Sequence, residues 1–410
     1  MRSTVARRSF NFGLPSIVTA GYRGLPNSPT PASSAEAVWV PAKTVRNLDA
    51  LLEVKRVEHN LPAVTAIVLS GAQIVAKGET GFRKAGTSVV VRPADRWHIG
   101  ACAQAMTATM VGVLVEKGVL AWETTISEAL PKLKDNILPA YHDVTLEMLL
   151  SHRAGLSQGY ESPAAWRYIW KREDSPAQHR KKVAALMLKN APAYRPGNGY
   201  AYSNMGYCIA GHIAESKLDQ TWEQLMGDLI FKPLGMSSAG AGPEQNFQQI
   251  ASPWGHQRNG VPIEPGIQAN QPAAFGPSGG NLYMSMTDWS KFVAEQLKGA
   301  RGEDGQLLSA STYRRLQTGK RTDKGNAYAM GWNVTQRDWA RGKSPDSVGR
   351  CLSHNGTISS WYSQVSVAPE RDLAILCATN IGNRNRGSAV SINTKLNDVA
   401  WTVIGEALTI

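Results

Sequence analysis

The spacing of apolar and polar positions marks two ends of the chain that belong to one structure. Residues 43–59 (KTVRNLDALLEVKRVEH) repeat apolar positions at helical spacing. Two strand-like runs follow, AVTAIVLS and IVAKGETGF, joined at Gly71-Ala72-Gln73. Near the other end, SSWYSQVSVA and DLAILCATNI flank Pro369-Glu370-Arg371, and VSINTKLNDVAWTVIGEAL reads as a closing helix. Strands at both termini with helices outside them predict an α+β fold, an antiparallel sheet built from both chain ends and flanked by helices. From about 120 to 300 helical and loop patterns dominate. The organisation read from the sequence is a leader over 1–42, a sheet region from 43–120 and 300–410, and a mainly helical region over 121–299. No run of about 18 apolar residues occurs, so no spanning helix is expected.

Composition changes this picture at two places. The 410 residues carry a formal charge of +12, from 44 basic and 32 acidic residues. Arg2, Arg7, Arg8 and Arg23 all precede the first acidic residue, Glu36. Such a leader fits a mitochondrial-type transit segment, a twin-arginine export signal at Arg7-Arg8, or an unstructured tail on a cytoplasmic protein. A second basic cluster (Arg167, Lys171, Arg172, Arg180, Lys181, Lys182) is interleaved with Trp166, Tyr168 and Trp170. With no nucleic-acid motif beside it, it reads as a solvated helical face whose aromatic residues turn inward, and no nucleic-acid partner is expected. The four cysteines are scattered without pair spacing and read as small buried hydrophobes. The eight histidines show no ligand spacing, so neither a metal nor a cofactor is expected.

Three short motifs carry the chemistry. Ala101-Cys102-Ala103-Gln104 opens an apolar helical run, Tyr202-Ser203-Asn204 follows in the middle region, and His354-Asn355-Gly356 lies late in the chain. Between and around them stand VTLEMLLSHRAGL, YRPGNGYAYSNMGYCIAGHIAE, FKPLGM, GPSGGNLYMSMTDWSKF and YAMGW. In order, spacing and flanks this chain resembles the serine β-lactamase, penicillin-binding-protein and related esterase superfamily, in its class C-like branch. The resemblance covers roughly residues 45 to 408 and implies a β-lactamase-like fold with an all-helical insertion. In that superfamily the three places hold S-x-x-K, Y-x-N, and K-T-G or H-x-G. The second and third are intact here, whereas Ala101 stands in place of the serine and Gln104 in place of the lysine.

In the family the serine accepts the acyl group while the lysine and tyrosine move its proton. Alanine offers no lone pair, so acyl-enzyme chemistry at position 101 is excluded by composition. Cys102 is one residue on, turned about 100° away on a helix start, and reads as structural. The resemblance also implies an oxyanion hole made by the backbone N–H groups of Ala101 and Thr357, which a serine-to-alanine change leaves in place. Without a neighbouring ammonium, Tyr202 is expected near its reference value of about 10, as a proton donor, and His354, with a reference value of about 6.5, becomes the expected base. Asn204, Ala101, Gln104 and Thr357 are expected to line the binding site, and His152 to support it. Structural roles for Tyr202, Asn204 and His354 remain open at this point.

Three functions are compatible with these residues. One is a repurposed enzyme performing non-covalent acid–base chemistry (elimination, cyclisation, isomerisation or water-mediated hydrolysis) on a small carbonyl-containing substrate. The second is a non-catalytic protein that binds a small molecule in the same cleft. The third is an inactivated form of an ordinary serine hydrolase. The sequence leaves the oligomeric state open.

Overall fold

A computed structural model of the chain describes residues 45–157, 164, 167–168, 174–241, 250–265, 272–322, 325–358, 360–382 and 391–409. The leader read over 1–42 lies outside them, as do Trp166, Trp170, Lys171 and Arg172 of the basic cluster. Twelve strands are defined among the described residues. They are β1 (Arg46–Asn47), β2 (Ala63–Ser70), β3 (Gln73–Gly81), β4 (Arg96–His98), β5 (Gly240–Ala241), β6 (Leu282–Ser285), β7 (Lys320–Arg321), β8 (Ala327–Tyr328), β9 (Asn333–Gln336), β10 (Arg350–Ile358), β11 (Trp361–Ala368) and β12 (Leu373–Thr379). The longer helices are α1 (Asp49–Glu58), α2 (Gln104–Glu116), α3 (Pro176–Met187), α4 (Asn204–Leu218), α5 (Met286–Ala300) and α6 (Ile392–Ala407).

The main sheet runs β1-β3-β2-β12-β11-β10-β9-β8-β7, antiparallel at every pairing except the parallel β1–β3 contact. Its centre joins the two chain ends, with Val64 opposite Thr379 and Ile67 opposite Leu376. Alternate residues of β2 and β12 enter different cores. Val64, Ala66, Val68, Ile375 and Cys377 pack with Leu52 of α1 and with Leu396, Val399 and Val403 of α6. Ile67, Leu69, Ala374 and Leu376 face the larger core, with Met106 and Met110 of α2 and with Phe292 and Leu297 of α5. Being covered on both faces, these strands read as continuous apolar runs instead of alternating ones. The fold is the α+β class expected from the sequence, with the sheet built from both ends.

Local differences from the sequence reading have simple causes. Residues 43–59 read as one helix, yet Arg46–Asn47 pairs with β3 and the helix begins only at Asp49. A second, three-stranded sheet, β4-β6-β5, draws two of its strands from the stretch read as mainly helical. Those strands are two to four residues long, too short to show a period. Within the basic cluster Arg180 is not on a solvated face. It is fully buried and bound to Glu215 and Glu223, with N–O distances of 2.6 and 2.8 Å. Among the described residues no helix is long and apolar enough to cross a membrane.

Helix α2 is buried around almost its whole circumference. This suits a central helix rather than a surface one, and it places the start of α2 in the middle of the molecule, where the first motif lies.

Candidate active site

Three backbone segments meet at the head of α2, and each is a glycine because no side chain fits. Gly100, in a short 3-10 turn leading into α2, has φ +52°, and a Cβ there would lie 2.6 Å from the Thr357 nitrogen. A Cβ on Gly356 would lie 1.9 Å from the Ile99 carbonyl oxygen, and one on Gly279 (φ +100°) 1.9 Å from that of Gly100. Glycine alone tolerates such an approach. The contact sets the backbone of Gly100, the residue before Ala101, against that of Gly356 and Thr357 at the end of β10.

Beneath this contact Gln104 is fully buried, and its amide meets four partners. Its Nε2 donates to the Tyr202 hydroxyl oxygen at 2.6 Å and to Asn204 Oδ1 at 3.3 Å. Its Oε1 accepts from the Tyr328 hydroxyl at 3.0 Å and from His152 Nε2 at 3.2 Å. Two donor hydrogens and two acceptor lone pairs are all an amide offers, so the side chain is saturated. The tautomer of His152 follows from its other nitrogen. Ser203 donates its backbone N–H to Nδ1 at 3.1 Å, which leaves the proton on Nε2, directed at Gln104. His152 is 2% exposed and holds a left-handed φ of +58°, a costly conformation for a residue with a side chain. Its carbonyl accepts from the Ala201 N–H and the Tyr194 hydroxyl, and its ring lies 4.4 Å from that of Tyr202 and 4.7 Å from that of Tyr328.

His354 completes the row. Its Nδ1 donates to the Asn355 carbonyl at 2.8 Å, so Nε2 carries the lone pair, and that atom lies 3.2 Å from the Tyr328 hydroxyl. Tyr328 therefore has two acceptors for one proton, Gln104 Oε1 and His354 Nε2.

Burial moves the titrating groups away from their reference values. Desolvation lowers His354 to about 4 and outweighs the hydrogen bond to Asn355. The His152 value falls well below normal, first by burial and then by the proximity of His354. Tyr202 is raised above its usual value by burial, which outweighs the hydrogen bond from Gln104. At neutral pH both imidazoles are thus uncharged and Tyr202 keeps its proton. His98 and His256 are also lowered to about 4 by burial.

A histidine whose folded value lies below its unfolded one binds fewer protons when folded. Its contribution to stability is fully present above the unfolded value of about 6.5 and is lost as pH falls toward the folded value. Unfolding free energy is expected to drop between about pH 6.5 and 4, with a slope on the order of 1 kcal/mol per pH unit for each such histidine. Chemical denaturation across that range checks this, and a flat profile would contradict the buried, neutral assignment.

The residues picked out from sequence come together. Ala101, Tyr202, Asn204 and Thr357 reach solvent and form a rim, whereas Gln104 and His354 lie buried beneath it. Burial pushes the Cys102 thiol up to about 12. Its sulfur faces the His354 carbonyl at 3.4 Å and Ser363 Oγ at 3.5 Å, so it is an inert neighbour and not a substitute nucleophile. Sequence reasoning missed the part played by Tyr328, and it gave His152 a supporting role without identifying the amide it orients. The only available signals were the family-like segments YAMGW and LLSHRAGL, which carry no indication of these contacts.

A helix opening at 101–104, a Tyr-x-Asn segment and a strand bearing His-x-Gly, gathered on a two-ended antiparallel sheet, define the architecture of the serine β-lactamases and penicillin-binding proteins. The sequence profile of the Beta-lactamase family matches residues 42–393, and the chain belongs to that family. It is similar to Penicillin-binding protein 4 of Amycolatopsis lactamdurans, with 26% identity over 334 residues that span 80% of this chain and 83% of the relative. Among solved structures, the D-amino acid amidase from Ochrobactrum anthropi SV3 in complex with L-phenylalanine amide superposes with a TM-score of 0.68 at 18% identity, covering 88% of this chain and 97% of that one. The D-alanine carboxypeptidase AmpC from Burkholderia cenocepacia gives 0.66 at 18% identity, covering 87% and 96%. At that level of identity the likeness concerns the fold.

Proposed function

We propose that this chain recognises and transforms a small carbonyl-containing molecule without forming an acyl-enzyme. The observation that carries the reading is the direction of one hydrogen bond: Gln104 donates into the Tyr202 oxygen, so the phenol proton is directed away from Gln104, toward other acceptors. A substrate carbonyl held by the backbone N–H groups of Ala101 and Thr357 would accept from Tyr202 as well, and charge developing on that oxygen would be stabilised by donors already in place. His354 is a positioning residue in this reading. With its value lowered to about 4 and its Nε2 facing Tyr328, it is a weak base, so carbonyl polarisation and proton donation lead. Elimination, cyclisation, isomerisation and water-mediated hydrolysis all belong to that class.

The saturated Gln104 amide supports a remodelled site over one merely disabled, since a lysine replaced at random would not be expected to leave a side chain that suits His152 and Tyr328 as well as Tyr202 and Asn204. One observation favours a purely binding function: His354, the expected base, is 4% exposed. Turnover separates the two. A panel of small carbonyl compounds, followed by mass spectrometry for loss of starting material, should yield a substrate of the full-length protein. Tyr202→Phe should then lower turnover by about 10²-fold with little change in melting temperature. Turnover unchanged in Tyr202→Phe would remove the tyrosine from the mechanism, and saturable binding without turnover of any compound would establish the binding function.

A further inference from the structure

We propose that a cavity between α6 and the β9–β11 part of the sheet binds one sugar-sized ring bearing several hydroxyl groups. The cavity holds about 160 Å³, room for about five waters, so it admits a single ring and not an oligomer. Strand alternation and helix spacing bring its walls together. Ser353 of β10 lies opposite Ser366 of β11, and Cys351 opposite Thr335 of β9, two residues before Arg337, so these side chains share one face of the sheet. Asn397, Ala400, Trp401 and Ile404 recur at helical spacing along α6 and cover that face, while Trp339 on a short 3-10 turn closes one side. Cys351 belongs to the core beneath α6 and Leu352 to the larger core. Alternation therefore turns His354 away from this cavity, toward the Gln104 site.

The floor is polar where the neighbouring strands are apolar. Beneath the same helix β2 and β12 present Val64, Ala66, Val68 and Ile375, whereas β10 and β11 present Ser353, Gln364 and Ser366. Small hydroxyl side chains leave the space open, and a polar group under a helix needs a partner. Gln364 has an unmet need: its Oε1 is buried and accepts no hydrogen bond among the described residues, which is unfavourable until a donor enters the cavity. Trp401 is 53% exposed beside this space, and with Trp339 it supplies two aromatic walls.

The lining selects the ligand. Arg337 is the one charged residue among those that line the cavity, so a cation would meet repulsion there and no counter-charge. Serine hydroxyls and the carboxamides of Gln364 and Asn397 both donate and accept hydrogen bonds, and ligand hydroxyls do the same. The face of an indole is electron-rich, and the C–H groups on the face of a sugar ring complement it while the hydroxyls at the ring's edge reach the polar floor. Arg337, exposed at the border, adds donors for a hydroxyl oxygen.

D-glucose, D-galactose and D-mannose, which differ only in the orientation of their hydroxyls, are the probes. In ligand-observed NMR titrations with the full-length protein, at least one of them should bind saturably in the millimolar range. Trp401→Ala should weaken that binding by at least about tenfold, and Gln364→Leu by at least about threefold. Trp401 is half exposed and leucine nearly matches glutamine in volume, so both variants should melt close to the parent. Absence of saturable binding by all three hexoses would overturn the proposal and leave the cavity to water. Binding that either well-folded variant leaves unchanged would overturn it too, by placing the hexose elsewhere. Tighter binding of adenine or uracil than of any hexose would overturn the ligand class.

Discussion

Replacing Ala101 by Ser together with Gln104 by Lys is expected to create hydrolysis of an activated ester, at about 10³-fold over the parent protein. A fluorophosphonate adduct should form at position 101 where the parent forms none. The backbone contact among Gly100, Gly356 and Gly279 is already made, so the new hydroxyl would sit beside the expected oxyanion hole. The Gln104 nitrogen already donates to Tyr202 and Asn204, and an ammonium can do the same. Either single change should do far less, because nucleophile and proton acceptor act as a unit. The gain carries a defined cost. Lysine has no acceptor, so Tyr328 must give its proton to His354 Nε2, which lies within reach. His152 has no such choice, since Ser203 holds its Nδ1. One buried donor left unpaired costs about 1 to 3 kcal/mol, so the active variant should also be less stable. A well-folded double variant without ester hydrolysis would mean that the cleft has diverged beyond its missing side chains.

Gln104→Leu should be among the most destabilising single changes in the site, by about 2 to 5 kcal/mol at nearly constant volume. The change removes four hydrogen bonds at once. The penalty is not four times the ordinary value of about 1 kcal/mol, since Tyr328 retains His354 and Asn204 reaches solvent. The His152 Nε2 proton and the hydroxyl of Tyr202 bear most of it. Urea unfolding of parent and variant measures the difference, and a loss below about 1 kcal/mol would show that this network is not made in solution.

How much of this could be read from the chain depended on the length of the signal. The apolar runs at 63–70 and 372–381 correspond to β2 (Ala63–Ser70) and β12 (Leu373–Thr379), and the closing helix to α6 (Ile392–Ala407), because each buries enough consecutive side chains to impose a pattern. The two-residue strands β5, β7 and β8 impose none. At the site, Ala101, Gln104, Tyr202, Asn204 and His354 were legible through motif order. The partnership of Gln104 with Tyr328 was not, because it depends on tertiary packing across 224 residues of sequence and no local rule encodes it. The lowered His354 value was equally hidden, since it comes from burial, a property of the assembled molecule.

The pairing of β2 with β12 also sets the order in which the molecule can be made. The Thr379 hydroxyl donates to the carbonyl of Ala63, 316 residues earlier. On the ribosome, β2 and β3 emerge with a mutual partner, yet the strand that covers the other edge of β2 follows about 300 residues later. Loop closure over such a span is slow, and apolar edges left open in the meantime invite association with other chains. The intervening helices around α4 can form while the ribosome is still at work, but the pairing of β2 cannot be completed until β12 is released. A chain truncated before Leu373 would leave β2 waiting for a partner that never arrives, and such a fragment belongs to chaperones and proteases, not to the pool of working protein.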